Sequence, residues 1–370
     1  MKRWILRVAL LIGIIITLLG FRWPTSTIEI SQVDQLGTKI TPNKHIKGRV
    51  GLKIAPHDLS LSGYKMVSNK KVIFKSQGYA IKIVYKPMDS KKKILKQMKN
   101  YRYIGASFQV LNTGLGTNTQ NYNKIGPEED RLRLILSNDG IRWKTMTINY
   151  PNVKVRDPDI TRIGNKWWIV YTTGAMWTTD FQTWHHKFWN FDTKHKLRIV
   201  WAPEFYHDKN NHWYIIVAAS ADNVNYRLFR YRFNPSLETI SGPEAIEIAN
   251  SNGHVNLIDP HIDFHNNRFE LLAKDEQHHY IVSAVSSDGY RFTHFQRLSL
   301  GMKTGLIPEG IERIYTSRTH SLVYFDQYNL SETFSGVHVV KFVGNKRVSN
   351  PIRLKANFLI RHFSIFDLKR

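Results

Sequence analysis

From about residue 101 to its end, the chain alternates short apolar runs with turns rich in Gly, Asn and Asp. The runs are rich in β-branched and aromatic residues, a composition that predicts β-strands, and long helical periodicity is absent. One short helix is predicted in a Lys-rich segment, where Ile94, Leu95 and Met98 fall on one face and the lysines face solvent. The pattern therefore predicts an all-β protein.

A four-fold repeat runs through this strand-rich region. In each copy a short motif containing acidic residues is followed by a turn and then by a strongly apolar strand. The motifs are Arg156-Asp157-Pro158-Asp159, Trp201-Ala202-Pro203-Glu204, Ile258-Asp259-Pro260-His261 and Glu309-Gly310-Ile311-Glu312. They recur after 45, 57 and 50 residues (158 to 203, 203 to 260, 260 to 310). This period suits the four-stranded blade of a β-propeller.

A second repeat predicts where the outer strands turn. Residues 137–143, 178–184 and 286–292 each combine a Ser or Thr, an Asp and a closing aromatic residue, which is typical of a hairpin. The first copy precedes Asp157, so residues 101–150 are expected to carry outer strands of another blade. The apolar tail at 357–368 would supply its missing strand. The prediction is a five-bladed β-propeller, closed by both ends of the chain so that no sheet edge is left open.

The N-terminal segment predicts export. Lys2, Arg3 and Arg7 precede an apolar stretch of 14 residues, 8–21, which matches the charged and apolar regions of a signal sequence. The stretch is short of the roughly 20 residues of a membrane span, and no small-residue cleavage site follows it. Residues 1–25 are predicted to be a signal-anchor or a signal peptide. The remainder would lie on the extracellular side, either membrane-anchored or secreted.

Composition narrows the domain plan and the partners. Residues 26–100, rich in Lys, Ser and Gly, are predicted to be a linker or N-terminal extension, and residues 101–370 the propeller domain. The net charge is +24, but the basic residues are spread along the chain without a nucleic-acid-binding motif. We therefore expect an anionic cell envelope or polysaccharide as partner, and no nucleic acid. The absence of cysteine excludes disulfides, a thiol nucleophile and cysteine-ligated zinc.

The acidic residues that head the blades are the predicted site. The first strand of each propeller blade lines the central channel, so Asp157, Asp259 and Glu309 are expected to converge although they are far apart in sequence. Hydrolysis of a glycosidic bond needs one carboxyl group as acid and one as base. A third carboxylate nearby raises the pKa of the acid, because like charges disfavour its ionisation.

The ordered motifs RDPDI, WAPE, IDPH and EGI resemble those of glycoside hydrolase family 43 over about residues 155–330. The resemblance implies a five-bladed propeller that hydrolyses an arabinose-, xylose- or galactose-containing glycan with inversion. It also implies Asp157 as general base, Asp259 as pKa modulator and Glu309 as general acid. Two positions depart from the family: Ile311 replaces a Pro, and His261 replaces a small residue.

Four further residues are predicted to contact the substrate: Trp201, Glu204, Trp177 and His261. Trp201 is expected to line the channel. Trp177 could serve as a flat platform for a sugar ring, with packing in the core as an equal alternative. No cofactor and no metal are required by the predicted reaction, and a structural calcium ion in the central channel is left open.

Other functions remain alternatives. The first is a non-catalytic glycan-binding propeller at the cell surface, since a fold does not determine a function. The second is a fructan-active relative, in which an Arg-Asp-Pro motif such as Arg156-Asp157-Pro158 stabilises the transition state. That group needs an earlier nucleophilic Asp in an Asn-Asp-Pro-like motif, and none precedes residue 156. The third, a nucleic-acid binder, would need a coherent basic face.

Overall fold

The computed structural model describes residues 23–35, 37, 39–61, 63–67, 71–109, 130–189, 191, 197–249, 256–331 and 333–369. Most of the predicted signal segment, residues 1–22, lies outside this part of the chain. Among the described residues no helix is both long enough and apolar enough to span a membrane. Two compact units can be distinguished, one ending at Met88 and the other beginning at Asp89.

The first unit contains a four-stranded sheet of order β2–β1–β4–β3, in which β1 and β4 are parallel. Its elements are β1 (Thr25–Val33), β2 (Lys44–Arg49), a 3-10 turn (Pro56–Leu59), β3 (Tyr64–Met66) and β4 (Tyr79–Pro87). Ile28, Ile30, Ile83 and Tyr85 alternate with exposed residues and form its buried core. A packed sheet thus occupies most of residues 26–100, the region predicted to be a linker or an N-terminal extension.

The second unit begins with a short helix and is otherwise built of strands where the structure describes it. In chain order the elements are α1 (Lys91–Met98), β5 (Tyr103–Gln109), β6 (Arg131–Ser137), β7 (Lys144–Thr145), β8 (Asp159–Ile163), β9 (Lys166–Tyr171), β10 (Gly174–Thr178), β11 (His185–Lys187), β12 (Ile199–His207), β13 (Trp213–Ser220), β14 (Arg227–Asn234), β15 (Thr239–Ala245), β16 (Glu247–Ile248), β17 (Leu257–His265), β18 (Arg268–Asp275), β19 (Tyr280–Ser286), β20 (Arg291–Arg297), β21 (Leu306–Tyr315), β22 (His320–Asn329), β23 (Phe334–Val343), β24 (Lys346–Arg347), β25 (Ile352–Arg353) and β26 (Ser364–Asp367). In α1, Ile94 and Met98 are buried while the lysines face outward, as the sequence predicts.

The described strands of this unit form five sheets, in which the successive strands pair mainly in antiparallel fashion. Sheet 1 is β8–β11, sheet 2 is β12–β15, sheet 3 is β17–β20 with β16 alongside β20, sheet 4 is β21–β25, and sheet 5 is β26 with β5–β7. The first strands contact one another in cyclic order, from β8 through β12, β17, β21 and β26 back to β8. This is a β-propeller-like arrangement. The strand predicted in the C-terminal tail is present, and β26 pairs with β5.

Each first strand is preceded or interrupted by the same backbone distortion. One residue there has a positive φ angle, and in sheets 2, 3 and 4 the pairing register shifts at this point, as in a β-bulge. We call these residues the first ring: Asp157 (φ 50°), Ala202 (φ 44°), Asp259 (φ 49°), Gly310 (φ 52°) and His362 (φ 36°). Four of them belong to the predicted motifs. His362 belongs to a fifth copy, Arg361-His362-Phe363-Ser364, that motif reading missed.

Residues two positions further along form what we call the second ring: Asp159, Glu204, His261, Glu312 and Ser364. Contacts between these positions link successive sheets. The Ile160 N–H donates to Ser364 Oγ (3.0 Å), and the Phe205 N–H donates to Asp159 Oδ2 (2.7 Å). His261 Nδ1 lies 2.8 Å from Glu204 Oε2. The two rings thus place equivalent residues of the sheets side by side around one axis.

Candidate active site

The structure brings the three predicted catalytic residues together. The Gly310 N–H, which belongs to the peptide that follows Glu309, donates to Asp259 Oδ2 at 2.8 Å. Burial raises the pKa of Asp259 above its ordinary value, and the nearby charge of Asp157 raises it further, while His362 acts in the opposite direction. We call Asp157, Asp259 and Glu309, together with Asp326 described below, the carboxyl cluster. Its predicted members come from the starts of three sheets.

Asp157 is held by two groups on either side of its carboxylate. Thr172 Oγ1 donates to Oδ2 at 3.2 Å, and His362 Nδ1 lies 3.6 Å from Oδ1. Thr172 directly follows β9, the second strand of sheet 1, and its N–H donates to the Arg156 carbonyl. Thr172 thus donates to one oxygen of the Asp157 carboxyl group, while His362 lies near the other.

Glu309 forms an ion pair that the sequence did not predict. Lys274 Nζ lies 2.6 Å from Glu309 Oε1 and also 2.6 Å from Glu276 Oε2, and the lysine side chain is almost fully buried. Burial lowers the pKa of Lys274, but the two carboxylates outweigh it, so the net shift is upward and the lysine is a cation. Burial raises the pKa of Glu309; Lys274 opposes this, and Asp259 adds to it.

Asp326 is a fourth carboxyl group in the cluster. It lies in β22 directly opposite Glu309, and its two oxygens accept the N–H of His362 at 3.1 and 3.2 Å. Burial raises its pKa well above the ordinary value, and the charges of Glu309, Asp259 and Asp157 contribute in the same direction. Three carboxylates thus act on one buried carboxyl group.

Lys274, Asp326 and Thr172 share one structural position, which gives a signal that sequence reading could have used. Each lies in or directly after the second strand of its sheet, 14 or 15 residues after the residue that follows the first-ring position (158 to 172, 260 to 274, 311 to 326). In register, Lys274 is opposite Ile258 and Asp326 is opposite Glu309. A polar or charged residue within or just after an otherwise apolar strand, at nearly constant spacing, marks this layer.

Two of the predicted substrate-binding residues are placed elsewhere. Glu204 and His261 belong to the second ring and are buried, with the imidazole hydrogen-bonded between Glu204 Oε2 and Asp263 Oδ2 (2.8 and 3.0 Å). Two residues beyond the bulge, these side chains pack against neighbouring sheets, and their contact with substrate stays a prediction. Burial lowers the pKa of His261, but the carboxylates of Glu312, Asp263 and Glu204 outweigh burial. The net result is a pKa well above the ordinary value.

The two predicted aromatic residues differ in position. Trp201 lies in the first strand of sheet 2, half-buried, with one face stacked on Tyr226 at 4.6 Å between ring centroids. Trp177 lies in the third strand of sheet 1, stacked on His185 at 3.9 Å and covered by Lys166 Nζ. Trp177 therefore packs between strands away from the two rings, which favours the core-packing alternative, and its role as a sugar platform stays a prediction.

One group of described residues has the geometry to hold a metal ion. One ligand atom from each of Glu204, His261 and Glu312 lies within 4.8 Å of the other two, and all three residues are buried. Asp159 is adjacent, and burial together with the charge of Glu204 raises its pKa to about 7. This group is separate from the carboxyl cluster because it belongs to the second ring.

Comparison with solved structures finds glycan-active enzymes of similar fold. An endo-1,4-β-xylanase from Bacteroides thetaiotaomicron is matched with a TM-score of 0.46 and 10% identical residues, over 68% of this chain and 93% of that one. An arabinanase from Bacillus subtilis is matched at 0.43 and 14%, over 67% and 92%. A family-43 endo-arabinanase from Bacillus licheniformis is matched at 0.42 and 15%, over 65% and 89%.

No protein-family model matches the chain, and no curated protein sequence matches it either.

Proposed function

We propose that the chain is an exported glycosidase, a closed five-bladed β-propeller that hydrolyses a glycosidic bond with inversion at the carboxyl cluster. The observation that carries this proposal is the convergence of Asp157, Asp259 and Glu309 from three different sheets. Carboxyl groups packed this closely repel one another when ionised, and such sites are typical of acid–base chemistry.

In the proposed reaction, a water molecule attacks the anomeric carbon. Asp157 takes a proton from the water as the new carbon–oxygen bond forms, and Glu309 gives its proton to the leaving oxygen as the glycosidic bond breaks. This single displacement inverts the configuration, and it needs the two carboxyl groups about 6.5–9.5 Å apart to leave room for the water. Thr172 and His362 orient the base, and Asp259 favours the protonated form of Glu309.

The Lys274–Glu309 ion pair sets a condition on this mechanism. The ammonium group of Lys274 favours the carboxylate form of Glu309, whereas a general acid must begin the reaction protonated. Glu276 offers Lys274 an alternative partner at the same distance, 2.6 Å. We infer that substrate entry shifts Lys274 toward Glu276, which leaves Asp259 as the dominant neighbour of Glu309.

Lys274→Met should therefore move the alkaline limb of the pH profile. Lys274 lowers the pKa of Glu309, so its removal raises that pKa and keeps the acid protonated to higher pH. The measurement is kcat/KM against pH, which reports the free enzyme's groups. Lys341→Met, an exposed lysine in sheet 4, is the matched control and should leave the profile unchanged. An alkaline limb that stays in place or moves to lower pH in Lys274→Met contradicts the proposed role of Glu309.

For the substrate, we propose an extracellular polysaccharide or oligosaccharide with arabinose-, xylose- or galactose-type units. The net charge of +24 favours an anionic polymer or an anionic envelope around it. Trp201, at the start of sheet 2, is the aromatic residue best placed to stack on a sugar, since its neighbour Ala202 belongs to the first ring.

Trp201→Ala should weaken glycan binding by roughly two- to tenfold, the size of one lost aromatic contact. Trp177→Ala is the matched control: it removes the same side chain from a packing position and should leave the dissociation constant unchanged for the folded protein. Titration calorimetry with an oligosaccharide identified by hydrolysis gives both constants. Equal effects of the two substitutions would remove Trp201 from the binding site.

A second candidate function is a non-catalytic glycan-binding propeller at the cell surface. The specific observation in its favour is the ion pair between Lys274 and Glu309, which favours the carboxylate form of Glu309. Hydrolysis of a panel of aryl glycosides and polysaccharides distinguishes the two functions. Release of reducing ends supports the glycosidase, whereas glycan binding without hydrolysis supports the binding protein.

A further inference from the structure

A buried group of titratable side chains in the second ring takes no part in the proposed reaction. His261 lies at its centre, with Glu204 Oε2 at 2.8 Å and Glu312 Oε2 at 3.7 Å from the same imidazole nitrogen, Nδ1. The three side chains come from the first strands of sheets 2, 3 and 4 and are all less than one-tenth exposed. Two carboxylates therefore face one ring nitrogen inside the protein.

The other imidazole nitrogen fixes the orientation of His261. Nε2 lies 3.0 Å from Asp263 Oδ2, so this nitrogen carries a proton and donates it to the carboxylate. A cation bound between Glu204 and Glu312 would take the place of the proton on Nδ1, whose lone pair would then face the ion. A carboxylate that accepts from one ring nitrogen while the other nitrogen faces a cluster of acceptors is the arrangement that supports a metal-bound histidine.

Glu312 provides an independent observation. Its Oε2 atom is buried and has no hydrogen-bond partner among the described residues, although the side chain points at His261. A buried carboxylate oxygen without a donor is costly, so a positive group is needed at this point. The facing atoms of Glu204, His261 and Glu312 lie within 4.8 Å of one another, close enough to share one ion.

We propose that Glu204 Oε2, His261 Nδ1 and Glu312 Oε2 bind one divalent cation of the zinc type. A nitrogen donor with two carboxylate oxygens suits zinc, whereas calcium takes six to eight oxygen ligands. The observed separations of 2.8 and 3.7 Å from Nδ1 bracket the spacing of about 3.3 Å between ligands of a tetrahedral site with bonds of about 2.0 Å. Three protein ligands leave a fourth position.

Such an ion would join three sheets at the centre of the second unit. It would replace the repulsion between Glu204 and Glu312 with bonds to a shared cation, and would stabilise the folded protein in proportion to the logarithm of free metal. The site lies outside the carboxyl cluster, so binding of the ion and hydrolysis of glycans are measured separately, and either can fail without the other.

The test uses the purified, untagged full-length protein, stripped with a chelator and then given Zn²⁺. We expect one tightly bound equivalent per chain by elemental analysis, and a melting temperature that rises with Zn²⁺ concentration. X-ray absorption of the zinc-loaded protein should show one imidazole nitrogen among oxygen ligands. Glu312→Gln and His261→Gln should lose this equivalent. His212→Gln, which removes an exposed histidine paired with Asp208, should keep it.

The outcomes that overturn the proposal are equally specific. Substoichiometric zinc in the wild-type protein, or an unchanged melting temperature, would show that an imidazolium ion rather than a metal lies between the carboxylates. Binding of Ca²⁺ in place of Zn²⁺ would overturn the assigned class. Full zinc binding by a folded Glu312→Gln would place the ion elsewhere. If both variants fail to fold, the absorption spectrum of the wild-type protein decides alone, because a ligand shell without one imidazole contradicts the site.

Discussion

Replacing Glu309 with Gln should lower kcat/KM for an unactivated glycan by about 10²–10⁴-fold, the size of one general acid term. Gln is nearly the same size as Glu and cannot give a proton to the leaving oxygen, so the protein should fold while the bond no longer breaks. Asp157→Asn should cause a loss of the same order, because the water then has no base. Both rates are measured by release of reducing ends.

The leaving group separates the two roles. An aryl glycoside with a very acidic phenol needs no protonation, so Glu309→Gln should recover most of its activity on that substrate, whereas Asp157→Asn should not. A matched control is Glu247→Gln, which removes an exposed carboxylate in sheet 3 that pairs with Arg291. That variant should keep activity within about tenfold, as expected for a group outside the reaction. Equal activity of wild-type protein and Glu309→Gln on the unactivated glycan would refute the assignment of the acid.

Glu270→Met should cost about 3–5 kcal/mol of unfolding free energy, the range for one partner removed from a buried ion pair. Glu270 in sheet 3 accepts hydrogen bonds from Arg313 Nη1 (2.7 Å) and the Tyr315 hydroxyl (2.6 Å), both in sheet 4. Glu270 and Arg313 are less than one-tenth exposed, so the substitution leaves a buried guanidinium without its carboxylate. The same two sheets carry Asp259 and Glu309. Urea unfolding measures the loss.

Two comparisons isolate this pair. The double variant Glu270→Met/Arg313→Met removes both charges and should recover part of the loss. Glu244→Met breaks an ion pair between an exposed glutamate and Arg230 (2.8 Å) and should cost less than about 1 kcal/mol. A loss in Glu270→Met no larger than in Glu244→Met would mean that the buried pair does not hold sheets 3 and 4 together.

The same pair predicts a direction for the dependence of stability on pH. Burial raises the pKa of Glu270, but the Tyr315 hydrogen bond and the charge of Arg313 outweigh it, so the folded-state pKa lies below the ordinary value of 4.5. The contribution of the pair is therefore complete above the unfolded-state pKa and declines as pH falls toward the folded-state value. The stability difference between wild type and Glu270→Met should shrink in acid.

The spacing of motifs in the sequence predicted the first strands of four sheets and the strand that the C-terminal tail adds to β5. The fifth copy of the motif escaped detection because Arg361-His362-Phe363-Ser364 has neither a proline nor an acidic residue. It shares only its interval, 52 residues from Gly310 to His362, and a positive φ angle that backbone pairing imposes. A motif that repeats the same types of side chain can be recognised in the sequence, whereas one that repeats only a backbone conformation cannot.

The candidate site was only half visible for a related reason. Asp157, Asp259 and Glu309 head their strands next to turn residues, where sequence patterns are distinctive. Lys274 and Asp326 lie inside apolar second strands, and they reach the cluster only through the register of each hairpin. The sheet of the first unit was not predicted because lysines on the outer face of β4 hide the alternation of Ile83 and Tyr85 on its inner face. The amino-acid composition of a segment does not separate the residues on the buried face of a strand from those on its exposed face.

The stereochemistry of the first product tests the central claim most directly. Proton NMR follows the anomeric signals during the first minutes of hydrolysis by the wild-type protein, before the released sugar equilibrates. Single displacement by water between Asp157 and Glu309 predicts that the new hemiacetal has the configuration opposite to that of the glycoside. A product with retained configuration would require a covalent intermediate and contradict the assigned roles. The absence of any product, with glycan binding intact, would leave a binding protein.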